Sequence, residues 1–249
     1  MAASPKNRQS LYITWKMRLP NLNHRALTPK RRDRLGKRDN MTVHLHKHDL
    51  PDGMNFGSSV AVDTETQGLS LVRDKLCLVQ LSAGDGDAHI VQMDRESYNA
   101  PNLKKLMTDP AVTKIFHFAR FDVAMMMRDL DVTVAPVFCT KIASGLVRTY
   151  TDRHGLKDLT KELINVDLSK QQQSSDWAAD ELTEAQLNYA ASDVLYLHQL
   201  KTILSGRLMR ENRWEIAQGC FEFLPTRAQL DLSGWSDVDI FSHRMRRMD

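Results

Sequence analysis

Apolar and polar residues alternate over positions 42–48, the period-two pattern of a half-buried strand, and Pro51-Asp52-Gly53 then marks a turn. Residues 59–64 form an apolar strand that ends in acids. A polar turn from Gly68 to Asp74 leads to a second apolar strand at 76–82. Gly84-Asp85-Gly86-Asp87 is a hairpin signal ahead of a third strand at 88–93. These three strands with short links predict an antiparallel meander. The period then changes. Residues 102–108 read as a helix stopped by Pro110, 113–118 as a strand, 121–130 as a helix and 134–139 as a short strand. From Thr140 onward helical spacing dominates, with helices expected at 140–147, 156–164, 183–205 and 208–223. A meander, then βα units, then helices predicts a mixed α/β sheet covered by helices.

Composition changes this picture little. The 249 residues are 42% hydrophobic and 26% charged, which supplies a full core and excludes wholesale disorder. No apolar run reaches the ~18 residues of a spanning helix, so no membrane association is expected. Cys77, Cys139 and Cys220 are odd in number and far apart. Neither a disulfide framework nor a Cys-based zinc site is expected, a reducing cytoplasm fits, and no apolar signal-peptide segment is visible at the start.

Charge changes it more. The formal net charge is +3, yet residues 1–40 hold eleven Lys and Arg against two acids, a local +9, so the remainder carries −6. Prolines at 5, 20 and 29 interrupt this stretch. It reads as a basic, poorly ordered extension ahead of a body at 41–249. Three explanations stand: non-specific nucleic-acid contact, a transit-like presequence, or an over-extended gene start with Met41 as the first residue.

Candidate chemistry lies in the acids. Asp63 and Glu65 close the first apolar strand. Residues i and i+2 of a strand face the same way, so two carboxylates stand together beside Val60-Ala61-Val62. Such a like-charge pair is costly unless a divalent cation neutralises it. Taken alone, it is also an ordinary polar strand exit. Asp122 begins a helix, where the helix dipole favours an acid. Tyr189 and Asp193, four apart, share one helix face.

In order, these residues make Asp-x-Glu on a strand, an Asp after a later strand, and Tyr-x-x-x-Asp on a helix. With Val62-Asp63-Thr64-Glu65-Thr66, residues 76–82 (LCLVQLS), residues 116–122 (FHFARFD), residues 168–177 (LSKQQQSSDW) and Tyr189-Ala190-Ala191-Ser192-Asp193, the chain resembles the ribonuclease D family. That family belongs to the Tyr-containing subclass of the DEDD 3'-5' exonucleases. The resemblance runs from about Val60 to Leu200. It implies a ribonuclease H-like fold with a mixed five-stranded sheet flanked by helices. Only about fifty residues follow the Tyr-Asp helix, which corresponds to a short form without the helical HRDC domains of larger members.

The resemblance also implies roles. Asp63 would bridge two divalent cations, Mg²⁺ or Mn²⁺. Glu65 and Asp193 would complete the site of the nucleophilic water, and Asp122 would hold the second ion, partly through water. Tyr189 would orient the attacking water. Gln80, His117 and the backbone of Thr64 would meet the terminal nucleotide, although His117 also suits a packed strand end. Lys170, Gln172, Ser174, Ser175 and Trp177 would form a substrate-side loop with Trp177 as its anchor. The expected activity is release of nucleoside 5'-monophosphates from single-stranded RNA 3' ends, including tRNA precursors or other structured RNA with 3' tails. The rivals are a DNA 3'-5' exonuclease and a catalytically silent RNA-binding protein. Two further motifs have plain readings: His44, His46 and His48 as a solvated strand face, and Met125-Met126-Met127 as helix packing.

Overall fold

Among the described residues, six strands form one mixed sheet in the order β1-β4-β3-β2-β5-β6. The computed structural model describes residues 41–243 apart from positions 170 and 173, so the basic extension at 1–40 and Lys170 lie outside the described residues. The strands are β1 (Thr42–Lys47), β2 (Ser59–Thr66), β3 (Leu76–Ser82), β4 (Asp87–Gln92), β5 (Thr113–Phe116) and β6 (Val137–Cys139). The expected meander is present: β2, β3 and β4 pair antiparallel. β1 joins β4 in parallel, and β5 and β6 extend the other side in parallel from β2. The sheet has six strands rather than five, which agrees with the six apolar segments along the chain.

The helices are α1 (Pro101–Thr108), α2 (Ala119–Asp129), α3 (Thr140–Val147), α4 (Leu156–Ile164), α5 (Glu184–Leu195), α6 (Leu197–Arg210) and α7 (Trp214–Leu230). The expected helix at 183–205 is two helices that meet at Tyr196, which ends the first and precedes the second with φ −102° and ψ −5°. Aliphatic residues face the core on both sides of that corner, so hydrophobic spacing alone does not reveal it. The last helix also starts later than its pattern suggests. Asn212 adopts a left-handed φ of 56° and separates α6 from α7, which then continues through Pro225.

β2 and β3 run through the core, with Val60, Ala61, Val62, Leu76, Leu78, Val79 and Leu81 all fully buried. Met125 and Met126 are buried in the same core, as helix packing requires. His44 and His46 share a sheet face with His89, and the His44 and His89 rings stack at 4.7 Å. His48 does not continue this row, because it leaves β1 at a left-handed φ of 69°. At the far end of the chain, the carboxylate of Asp231 accepts hydrogen bonds from both Arg120 and Arg227. This bridge ties α7 to the first turn of α2, the turn that also carries Asp122.

Candidate active site

The carboxylates converge at the end of β2. Strand alternation places Asp63 and Glu65 on one face, while α5 packs across β2, β3 and β4 and brings Asp193 over them. A capping box sets where α5 begins: the Thr183 hydroxyl accepts from the Gln186 backbone N–H, and the Gln186 side chain accepts in return from the Thr183 backbone. Tyr189 and Asp193 then fall one turn apart on its inner side. One oxygen from each of Asp63, Glu65 and Asp193 lies within 4.8 Å of the others. Among the described residues this is the only group of three metal-ligating side chains so placed.

Asp122 lines the same cleft by a different route. It is buried in the first turn of α2, and its Oδ1 accepts a hydrogen bond of 2.5 Å from the Thr64 hydroxyl. Thr64 lies one residue out of phase with Asp63 and Glu65. β2 therefore presents two carboxylates on one side and orients a third acid from the other. The cleft measures about 530 Å³ and is also lined by Thr64, His117, Phe118, Lys157, Ser169 and Tyr189.

Burial and mutual repulsion make these carboxyls reluctant to ionise. Burial raises Asp63 well above the ordinary range, and the charges of Asp122, Asp193 and Glu65 add to it. Glu65 is pushed up to about 9 by burial and then by Asp193 and Asp122. Asp193 rises to about 7, through burial first and Asp122 second. Burial lifts Asp122 to about 7 against the opposing Thr64 hydrogen bond. Clustered carboxyls with raised pKa values, all oxygen donors, suit a hard divalent cation that compensates their charge. Burial, followed by the nearby carboxylates, also raises the Tyr189 phenol above its ordinary value, so it stays protonated at physiological pH.

The remaining expected contacts divide. His117 lines the cleft, shares a 2.9 Å hydrogen bond with the Thr140 hydroxyl, and is held neutral at about 3 by burial and by Lys141. Thr64 is at the site. Gln80 is not: it pairs with Asp63 in the sheet register, but its side chain is fully buried and outside the cleft lining. Its amide nitrogen and oxygen find no hydrogen-bond partner among the described residues. In the segment before α5, Trp177 is 3% exposed and its ring lies 5.9 Å from that of Tyr189, which fits an anchoring role. Gln172 and Ser175 bond to each other, and neither they nor Ser174 line the cleft. Phe118, Lys157 and Ser169 had no expected role at the site; their place at the cleft comes from the turn after β5, the start of α4 and the loop before α5.

A family model described as 3'-5' exonuclease matches residues 45–209. A ribonuclease D from Acidiphilium cryptum is 35% identical over 154 residues, covering 62% of this chain and 39% of that protein. The chain thus spans about two-fifths of the length of that relative. The Brucella melitensis NrnC structure bound to pGG covers 82% of this chain and 100% of its own, with 55% identity and a TM-score of 0.80. The same protein with bound Mg²⁺ is 54% identical over 82% of this chain and 100% of that one, with a TM-score of 0.78.

Proposed function

This chain belongs to the 3'-5' exonuclease family, and we propose that it hydrolyses single-stranded RNA from the 3' end, releasing nucleoside 5'-monophosphates. The observation that carries this reading is the convergence of Asp63, Glu65 and Asp193 in one cleft with Tyr189 and Asp122. Asp63, Glu65, Asp122 and Asp193 would hold two divalent cations, Mg²⁺ or Mn²⁺. When bound, such ions acidify a water and neutralise the charge on the leaving oxygen. Tyr189, protonated and braced by Trp177, orients the attacking water rather than taking its proton. Neutral His117 offers a ring nitrogen to the terminal nucleotide, and the backbone of Thr64 meets the 3'-terminal sugar.

Short RNA is the first substrate to test, because pGG is the ligand of the similar Brucella protein. The 3' tails of tRNA precursors and of other structured RNAs are the second. The free, separated cysteines are consistent with work in the cytoplasm. The test is hydrolysis of matched RNA and DNA oligonucleotides labelled at the 5' end, with Mg²⁺ or Mn²⁺. A ladder growing from the RNA 3' end is expected. Faster loss of the DNA strand would reassign the substrate to DNA, and binding without cleavage would identify a silent RNA-binding protein.

Two further outcomes follow. Tyr189→Phe keeps the ring against Trp177 and removes only the hydroxyl, so turnover should fall ~10²-fold, the order expected when one positioned hydrogen-bonding group at the reacting atoms is lost. Steady-state kcat measures this; a loss as complete as that of a metal-ligand variant would give Tyr189 a larger part. We also place the domain boundary at Met41. Deletion of residues 1–40 should leave kcat unchanged and the slope of log Kd against log[salt] the same. A flatter slope would show that the extension contacts phosphates.

A further inference from the structure

Phe118 occupies a place that its own backbone disfavours. It joins β5 to α2 at φ 66° and ψ 44°, in the left-handed region that glycine and asparagine enter readily and a bulky aromatic does not. Burial does not offset that cost, since the residue is 45% exposed. Strained backbone kept without a packing reason is concentrated at functional sites. Phe118 lines the catalytic cleft beside His117 and Asp122. It also lines a second groove of about 420 Å³ with Lys141, His154 and Phe223. The Lys141 ammonium stands 4.0 Å from the centre of the Phe118 ring. Among the described residues Lys141 has no carboxylate partner, whereas Arg120 and Arg227 of the same groove are both taken up by Asp231.

We propose that Phe118 and Lys141 form a nucleotide subsite beside the carboxylates, in which the exposed ring stacks a base flanking the scissile phosphate and the ammonium holds an adjacent phosphate. An aromatic platform with a neighbouring cation is the pairing that holds single-stranded nucleic acid without sequence preference, because every base has a π-face and every linkage a charge. The strained turn sets the ring at the border of the two depressions, where a buried residue could not serve. The inference rests on the exonuclease reading and adds residues for which that reading had no use.

The test compares the whole chain with its Phe118→Asn, Phe118→Tyr and Lys141→Met variants, using an RNA dinucleotide and an RNA hexanucleotide with Mg²⁺. Asparagine suits the left-handed backbone, so Phe118→Asn should hold or raise Tm. It should nevertheless raise KM about tenfold through lost stacking, with kcat within about twofold. Phe118→Tyr keeps the platform and should return KM to near the wild-type value. Lys141→Met should raise KM and flatten the salt slope by about 0.7, the share of one phosphate contact on a single strand. An unchanged KM in Phe118→Asn, with the wild type active, overturns the subsite and leaves the exonuclease reading standing. A KM increase that Tyr does not reverse, accompanied by a fall in Tm, assigns the ring a structural part and overturns the subsite too. A wild-type chain that cleaves neither RNA overturns the exonuclease reading and the subsite with it.

Discussion

Asp63→Ala is expected to abolish RNA hydrolysis at saturating Mg²⁺, with a loss of ~10³-fold or more, while the metal-free protein keeps or gains thermal stability. The two halves of this result have one cause. Asp63 lies where burial and three neighbouring carboxyls, Glu65, Asp122 and Asp193, all oppose its charge. In the proposed mechanism Asp63 would be one of the four acids that hold the cations, so its removal would forfeit Lewis-acid stabilisation worth several kcal/mol. The same removal takes one buried, desolvated carboxyl out of a crowded acidic cluster and leaves the β2 backbone pairing intact. Turnover and Tm, measured on one preparation, check both halves. Near-normal turnover would contradict the ligand assignment. A sharp loss of Tm would mean that Asp63 supports the fold instead.

The stabilisation given by Mg²⁺ is expected to grow with pH, by at least ~3 °C in Tm between pH 5 and pH 8. Folded Glu65 holds its proton up to about 9, and Asp122 and Asp193 up to about 7, against ordinary carboxyl values near 4 in the unfolded chain. Between those limits the folded state binds more protons than the unfolded one. Without a divalent ion, these groups therefore make stability fall as pH rises through the folded pKa values. A bound cation takes the place of the protons, so it has most to offset at high pH. His117, held at about 3, and Lys114, held at about 8 by burial, run in the opposite direction. Neither belongs to the proposed ligand set, so their contributions cancel in the shift between metal-free and Mg²⁺-loaded protein. A shift that does not change from pH 5 to pH 8, or one that shrinks, would contradict the carboxyl cluster as the binding site.

Much of the site was legible because it depends on short-range periodicity. The alternation of β2 put Asp63 and Glu65 on one face, and the four-residue spacing of Tyr189 and Asp193 put them on one side of α5. Their meeting in space was not legible in this way. It depends on α5 crossing β2, a long-range contact that only the order of the motifs suggested. Gln80 came from the resemblance rather than from spacing: it pairs with Asp63 in the sheet register, yet its side chain is fully buried and outside the cleft lining. The corner at Tyr196 escaped because both helices bury the same kind of residue. Phe118 escaped because an aromatic in an apolar run reads as strand, and a left-handed φ at a bulky residue has no signature in hydrophobic spacing.

In the proposed reaction this carboxylate cleft directs water at the phosphorus of the terminal linkage of an RNA chain. Mass spectrometry of the products formed from an RNA oligonucleotide in H₂¹⁸O with Mg²⁺ tests it most directly. The expected products are nucleoside 5'-monophosphates carrying one ¹⁸O in the phosphate and a shortened chain that ends in a 3'-hydroxyl, both lost when the metal is chelated. Cyclic phosphates, 3'-phosphate ends, or release that survives chelation would contradict it.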